Sequence, residues 1–265
     1  MNSNNPFEVH GVKYLSATSI NKFRKDPAKW LVNIAGYKDS IFSPPMSFGI
    51  AIEDGITKGV TEPDCSIEDC VKATNESYER IYDKILDNKA ADYSYEKCHE
   101  KRDRVADLLT EIVPLYRKFG IPIATQKKIS LEIEDVPIEI IGYVDYLYED
   151  TVRDLKTTGM KPMLRSDYQR QLTIYHYATG AVPMIDFIYS LKTKRSLITM
   201  PIENVDHTYL EIKRICNKMM RLLSLSSNIK EVAYLSCLEP DTSNEDFFKT
   251  WGANEIIGAN ELFMY

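Results

Sequence analysis

The sequence lacks two features that would place it outside the cytoplasm. Its five cysteines are scattered without C-x-x-C spacing, at Cys65, Cys70, Cys98, Cys216 and Cys237, which argues against a disulfide scaffold or a zinc ribbon. No apolar run approaches the roughly 18 residues of a membrane span, and no apolar stretch follows a basic N-terminal region. We therefore expect a cytoplasmic protein without membrane contact.

A surplus of positive charge is also missing. The net charge is −6 and the pI is near 5.4, which argues against broad attraction to nucleic acid but leaves room for a local basic groove. Low-complexity tracts and fixed-period repeats are absent as well. The 265 residues with 44% hydrophobic content can bury a full core, either as one domain with additions or as two small domains. We favour a single domain over residues 1–265.

Hydrophobic spacing divides the chain into a helical first part and a later part with strands. The predicted helices span about 16–35 with a break near Pro27, 46–58, 67–87, 95–119, 166–179 and 206–226. The predicted strands are 121–134, 136–148, 151–157, 184–192 and 197–202. This order predicts an α/β fold with a mixed central sheet flanked by helices. Its segments are N-terminal helices (1–60), a helical insertion (61–120), the α/β core (121–226) and a tail without assignment (227–265).

Two strand-like runs near the middle of the chain bring a pair of carboxylates together. If they form a hairpin around Glu149 and Asp150, with a loop of two or four residues, Asp145 lies directly opposite Asp154. Cβ atoms of such pairs are roughly 5 Å apart, and facing like charges are destabilising, so the pair needs a cation, a proton or solvent. Lys156 shares the face of Asp154 because side chains alternate along a strand. The hairpin therefore predicts a cluster of two acids and a lysine.

This cluster has the composition that metal-assisted phosphodiester hydrolysis requires. Asp145 and Asp154 would hold Mg²⁺ through oxygen, with the backbone carbonyl of Leu155 as a further ligand. Lys156 would orient or help deprotonate the attacking water and offset charge on the phosphate. A third acid is available at Glu53 on a predicted helix.

Two further pairs have helical i, i+4 spacing and can face this cluster. Gly49 lies four residues before Glu53, where the missing side chain would let the helix approach the sheet. Gln171 and Tyr175 have the same spacing on a later helix and can hydrogen-bond to a phosphate or to Lys156 without adding charge.

The four motifs in this order resemble the RecB-type branch of the PD-(D/E)XK nucleases, which includes lambda-type phage exonucleases and mitochondrial genome-maintenance exonucleases. They are Gly49-x-x-x-Glu53, Gly142-x-x-Asp145, Asp154-x-Lys156 and Gln171-x-x-x-Tyr175. The resemblance implies a restriction-endonuclease-like core that binds Mg²⁺, or Mn²⁺ in its place. It also implies the role of each motif residue: metal ligands Glu53, Asp145 and Asp154, catalytic Lys156, and active-site supports Gln171 and Tyr175.

Departures from the family pattern refine this expectation. Many relatives have histidine at the position of Glu53, whereas lambda-type exonucleases are similar to this chain in using glutamate. Several bacterial relatives bind an iron–sulfur cluster through an N-terminal cysteine before a proline and three C-terminal cysteines. Here Asp26 precedes Pro27 and the tail has only Cys237, so no iron–sulfur cluster is expected.

Candidate DNA-binding residues are less well defined. The segment with Ser16 and Ser19 resembles the serine-bearing first helix of the family, whose hydroxyls and free amides could hold a phosphate. The alternative is that both serines are helix caps. Candidate cations that would follow a DNA strand are Lys127, Lys128, Arg165, Lys192, Lys194 and Arg195, and the alternative for them is a solvated surface.

The function expected from these residues is a Mg²⁺-dependent DNA exonuclease, 5′→3′ by resemblance, in recombination, repair or phage DNA metabolism. Expected partners are DNA, further copies of the chain, and a single-strand annealing or recombination protein. One alternative is an endonuclease or helicase-associated nuclease of the same superfamily. The alternative from another class is a noncatalytic nucleic-acid-binding protein with this fold, although binding alone would not require acids that repel phosphate.

Overall fold

The computed structural model describes residues 5–39, 44–86, 102–190, 195–240 and 250–263. The helices in these ranges are α1 (Pro6–Val9), α2 (Ala17–Lys25), α3 (Pro27–Ile34), α4 (Pro44–Thr61), α5 (Ile67–Leu86), α6 (Val105–Arg117), α7 (Ser166–Thr179), α8 (Val205–Leu223), α9 (Ile229–Ser236) and α10 (Ala253–Phe263). The strands are β1 (Ala124–Leu131), β2 (Ile140–Leu147), β3 (Thr151–Thr158), β4 (Val182–Ser190) and β5 (Arg195–Pro201). None of these helices is both long enough and apolar enough to cross a membrane.

The five strands form one mixed sheet in the order β1-β2-β3-β4-β5. The β1/β2, β2/β3 and β4/β5 pairs are antiparallel, and the β3/β4 pair is parallel. Helix α7 connects β3 to β4, as expected because parallel neighbours need a crossover. The predicted mixed sheet flanked by helices is therefore confirmed.

Helices cover both faces of this sheet. One hydrophobic cluster joins strand residues to α2, α7 and α8, and includes Val144, Leu172 and Ile212. A second cluster joins the opposite face to α4, α5 and α6, and includes Tyr146 and Leu155. The helices predicted as an insertion thus build one of the two layers and share their core with the strands.

The chain after residue 227, which had no predicted structure, contributes α9 and α10. Helix α10 packs near α3, and the buried Glu255 fixes the contact. Its carboxylate pairs with Lys29 at 2.8 Å and accepts a hydrogen bond of 2.8 Å from Asn33 Nδ2. Asp39 accepts a hydrogen bond from the Glu255 backbone N–H near the start of α10. Helices α9 and α10 are therefore part of the folded body.

Most predicted boundaries within the described ranges agree with the structure to within a few residues. For the predicted helix 95–119, residues 95–101 lie outside the described ranges and α6 begins at Val105. Ser16 caps α2, and Asp26 caps α3 through the Lys29 N–H, so the predicted break near Pro27 is confirmed. The first two predicted strands, 121–134 and 136–148, are too long. The structure has β1 end at Leu131 and β2 begin at Ile140, with a connection between them. Apolar residues of this connection, including Ile133 and Ile138, are buried, which gave it a strand-like pattern.

A buried ion pair ties β3 to its neighbours on the face covered by α6. Arg153 donates to both carboxylate oxygens of Asp186, at 2.9 and 3.0 Å, and both residues are buried. Asp186 also accepts hydrogen bonds from Tyr116 on α6 and Thr199 on β5. The Arg153 guanidinium lies 3.7 Å from the centre of the Phe119 ring. The Asp186 carboxylate therefore connects β3, β4, β5 and α6, and its partner Arg153 directly precedes Asp154.

Replacing Asp186 tests this joint. Asp186→Asn leaves the buried Arg153 charge uncompensated, so we expect a loss of about 3 kcal/mol or more in the free energy of unfolding, measured by urea denaturation. The double variant Arg153→Met/Asp186→Leu removes both charges and should be more stable than Asp186→Asn. A double variant less stable than the single one would contradict a joint that depends on charge pairing.

Candidate active site

The β2/β3 hairpin has the predicted register. Tyr146 pairs with Arg153 and Leu147 with Val152, so the next position along places Asp145 opposite Asp154. The ladder ends before that position. Asp145 Oδ2 instead accepts a hydrogen bond of 2.8 Å from the Leu155 backbone N–H. A side-chain carboxylate thus takes the place of a strand carbonyl, and it lies next to Asp154.

Side-chain alternation along β2 changes phase at Asp145. Val144 packs in the cluster under α7, whereas Tyr146, two residues later, packs in the cluster under α4. In a regular strand these two residues would lie on the same face. At the change of phase Asp145 lies between the two layers, where side chains from helices on both faces can reach it.

Asp154 and Lys156 lie on one face of β3, as the alternation predicts. Lys156 Nζ lies 2.6 Å from Asp154 Oδ2, and Asp154 is almost fully buried. From α7, Gln171 Nε2 donates to Asp154 Oδ1 at 3.0 Å. Leu155 points the opposite way into the second cluster. Gln171 therefore contacts an acid rather than Lys156.

Gly142 makes room for the other residue of the α7 motif. A Cβ at Gly142 would lie 2.8 Å from Tyr175 Cε1, closer than real Cβ contacts allow. Tyr175 crosses β2 at this point and donates to the Tyr143 carbonyl at 2.7 Å, while Gln171 donates to the Tyr175 hydroxyl at 2.8 Å. The glycine, the tyrosine and the glutamine act as one support under the two aspartates.

Glu53 reaches the cluster from α4 on the opposite face. A Cβ at Gly49 would lie 3.0 Å from Thr157 Oγ1 on β3, so α4 approaches the sheet closely there, as predicted. Tyr146 helps to hold the helix through hydrogen bonds with the Glu53 carbonyl and the Thr57 hydroxyl.

Gln126 on β1 belongs to the cluster, and sequence reasoning missed it. Its side-chain Nε2 donates to Glu53 Oε1 and, at 3.2 Å, to Asp145 Oδ1. No motif indicates a glutamine in this role. The only available signal was register, because the β1/β2 pairing places Gln126 opposite Asp145.

The three carboxylates destabilise one another's charged forms. Burial, with the charge of Asp154, raises the pKa of Glu53 to about 7 against the opposing hydrogen bond from Gln126. Burial and the charges of Asp154 and Glu53 raise the pKa of Asp145 well above its usual value. Burial also raises the pKa of Asp154, although Lys156 opposes it. Burial lowers the pKa of Lys156, but the charges of Asp154 and Asp145 outweigh it and the net shift is upward.

The donor atoms of this cluster fit a hard divalent cation, because they are carboxylate oxygens with a shortage of positive charge. Within the described ranges, however, no three Asp, Glu, His or Cys side chains stand in a ready arrangement around one ion. Several oxygens instead face nitrogen donors, from Gln126, Gln171, Lys156 and the Leu155 backbone.

A basic cleft adjoins the cluster between α2 and α7. Its volume is about 920 Å³, and Lys156 and Gln171 belong to both the cleft and the cluster. Six further cations line it: Lys22, Arg24, Lys25, Lys29, Arg165 and Arg170. Three acids line it too, at Asp26, Asp167 and Glu211. The net charge of −6 therefore conceals a local surplus of positive charge, and four of these cations lie on α2 and α3, which the sequence reasoning had not selected.

The predicted DNA-binding residues are spread over the structure. Arg165 lines the cleft and pairs with Asp167 at 2.7 Å. Ser16 Oγ accepts from the Ser19 N–H, and Ser19 Oγ accepts from Trp30 Nε1, so both hydroxyls have partners within the protein.

Arg195 is not brought to the cleft. It pairs with Asp107 and Glu111 on α6, at 2.8 and 3.0 Å. Its long side chain therefore joins β5 to a helix on the other face of the sheet. Lys192 and Lys194 lie outside the described residues.

Comparison with known proteins identifies the family of this chain. The model of the PD-(D/E)XK nuclease superfamily matches residues 14–229. A crystal structure from Eubacterium rectale, named "Putative exonuclease", is similar with a TM-score of 0.51 and 11% identity, covering 82% of this chain and 87% of that chain. At this identity the likeness supports the fold alone. The structure of SSO0001 is similar with a TM-score of 0.32 and 13% identity, covering 72% of this chain and 83% of that chain. A TM-score this low supports no conclusion about the fold. No curated protein matches.

The raised pKa of Glu53 predicts how stability depends on pH. The pKa of Glu53 is about 7 in the folded protein, above its value in the unfolded chain. The contribution of Glu53 to the free energy of unfolding is therefore lost as pH rises toward and through 7. In EDTA, Glu53→Gln should therefore be more stable than the unchanged protein by up to about 3 kcal/mol at pH 8, and by much less at pH 5. Thermal unfolding at both pH values measures the difference.

Glu149→Gln in the exposed β2/β3 turn is the matched control, and its stability difference should stay constant between pH 5 and pH 8. A Glu53→Gln difference that does not grow with pH would contradict the electrostatic picture of the cluster.

Proposed function

Because the chain belongs to the PD-(D/E)XK nuclease superfamily, we propose that it is a Mg²⁺-dependent DNA exonuclease of the RecB-type branch that degrades DNA 5′→3′ from its ends. Members of this superfamily are nucleases that generally use divalent metals. Membership alone therefore indicates a hydrolytic nuclease that acts on DNA. The proposed context is DNA recombination, repair or phage DNA metabolism, with a recombination or annealing protein as partner.

One observation carries this proposal. Residues from five separate segments, α4, β1, β2, β3 and α7, meet where the basic cleft reaches the sheet. A binding protein would gain nothing from three closely grouped acids at this place, because they repel the phosphates that the cleft attracts. A nuclease requires the acids and the cations side by side.

Glu53, Asp145 and Asp154, with the Leu155 carbonyl, are the residues that would hold Mg²⁺, and Mn²⁺ could replace it. When bound, the metal would supply a Lewis acid for the scissile phosphate and lower the pKa of an attacking water. The side-chain oxygens of the three acids are held in place from opposite sides, since Glu53 comes from α4 while Gln171 on α7 orients Asp154.

Lys156 stabilises charge on the phosphate. Its pKa is raised, so the amine stays protonated at neutral pH. A protonated amine 2.6 Å from Asp154 can donate to a phosphate oxygen as negative charge grows there. The other roles expected from the sequence, orienting the attacking water or helping to deprotonate it, stay part of the proposal.

The cleft supplies the path for the DNA strand. Its cations continue from Lys156 to α2 and α3, so a strand lying in it would place its backbone beside the acid cluster. Arg165 is the residue selected from the sequence that fits this path. The polarity rests on Glu53 in the second motif and on the serine-bearing first helix, both by resemblance.

Substitution of the cluster tests the activity. Asp154→Asn or Lys156→Ala should lower Mg²⁺-dependent degradation of linear DNA by about 100-fold or more, because each removes a group that acts on the reacting phosphate or its cation. Release of a fluorescent nucleotide from an end-labelled oligonucleotide measures the rate, and thermal unfolding checks that the variants fold.

Matched controls lie away from the cluster. Asp150→Asn in the hairpin turn and Lys118→Ala after α6 are exposed substitutions of the same chemical kind, and both should keep full activity. Full activity in Asp154→Asn or Lys156→Ala would remove the site assignment and favour the noncatalytic binding protein.

Substrate form separates an exonuclease from an endonuclease. We expect covalently closed circular DNA to remain intact while linear DNA of the same sequence is degraded with divalent metal. Strands labelled at one end should lose a 5′ label at once and a 3′ label only late. Cleavage of the circle would favour the endonuclease alternative, and early loss of the 3′ label would reverse the polarity.

A further inference from the structure

Gln126 has an unusual backbone for a residue within a strand. Its φ is +47°, in the left-handed region that residues other than glycine enter only at a cost of about 1–2 kcal/mol. Its neighbours Thr125 and Lys127 pair regularly with β2, and Gln126 alone is left out of the ladder. Such a conformation persists only where the surroundings impose it, and it is concentrated at functional sites.

The side chain shows what accompanies this conformation. Gln126 is exposed to solvent, yet its Nε2 donates to both Glu53 Oε1 and Asp145 Oδ1. The other oxygen of Asp145 accepts from the Leu155 N–H within the sheet. The exposed Gln126 therefore contacts one oxygen of each of the two acids.

We propose that Gln126 is a positioning residue that competes with the divalent cation for Glu53 and Asp145, and that its amide must release both oxygens before the cation can bind. This inference rests on the proposed function. A carboxylate oxygen that accepts a hydrogen bond from an N–H group has that group where a cation would lie. The side-chain nitrogen of an amide supplies only donors toward the acids, never a ligand atom.

Competition has a consequence for affinity. The oxygens of Glu53 and Asp145 are already compensated by two donors, so part of the gain from cation binding is offset by the loss of those bonds. Hydrogen bonds to charged groups contribute enough, at about 1.4 kcal/mol for each factor of ten, to weaken binding by about tenfold. The same bonds hold the two acids, which come from α4 and β2, in one arrangement.

Gln126→Met tests the inference, since the methionine side chain is about as long as that of glutamine but has no amide. Titration of the full-length protein with Mn²⁺ in the absence of DNA, followed by calorimetry, should give about tenfold tighter binding than in the unchanged protein. Thermal unfolding with and without Mn²⁺ provides a second readout, because tighter binding gives a larger stabilisation at the same metal concentration.

Lys128→Met is the control, because it introduces the same side chain at an exposed position of the same strand and should leave Mn²⁺ affinity within about twofold of the unchanged protein, as expected for a residue outside the cluster. If Gln126→Met does not fold, Gln126→Asn, which is too short to reach both acids, should shift the affinity in the same direction. Affinity equal to or weaker than that of the unchanged protein would overturn the inference.

The competition by Gln126 and the proposed function can fail separately. If the unchanged protein binds Mn²⁺ and Gln126→Met binds it no better, the competition is wrong and the proposed function stands. If the unchanged protein does not bind Mn²⁺ at all, the metal-dependent function fails, and the competition fails with it.

Discussion

Three carboxylates held together against their mutual repulsion are the constraint on which the rest of the structure depends. Glu53, Asp145 and Asp154 are mostly buried, and each has a raised pKa. Such a group is tolerated only where donors or cations surround it. The fold supplies them from every side: a backbone N–H within the sheet, amides from β1 and α7, and the amine of Lys156.

The sheet makes this convergence possible because it is not regular at the site. The phase of β2 changes at Asp145, and β1 takes a left-handed residue opposite. Helices on both faces can then contribute side chains to the acid cluster. In a regular sheet, the side chains from the two faces would stay on opposite sides. On the face covered by α6, the buried Arg153–Asp186 pair fixes β3 and β4 beside the cluster, so the irregular site lies against a well-joined part of the sheet.

Charge is arranged locally rather than overall. The chain is acidic as a whole, yet cations from α2, α3 and α7 line the cleft that leads to the cluster. Some of them are held by acids, as Lys29 is by Glu255 on α10, which links the C-terminal helices to the shape of the cleft. The proposed attraction of phosphate and the proposed binding of a cation can therefore lie next to each other without a large positive net charge.

The sequence alone determined the fold class, the hairpin register and the grouping of Asp154 with Lys156, because hydrophobic period and side-chain alternation depend on neighbours along the chain. Tertiary structure decided the place of Gln126 and the cations of α2 and α3, and it took Arg195 away from the cleft to α6. It also showed α9 and α10 after residue 227, a region that had no assignment from the sequence. These outcomes depend on which strands pair and which helices cover which face, and those contacts join residues far apart in the chain without leaving a local pattern.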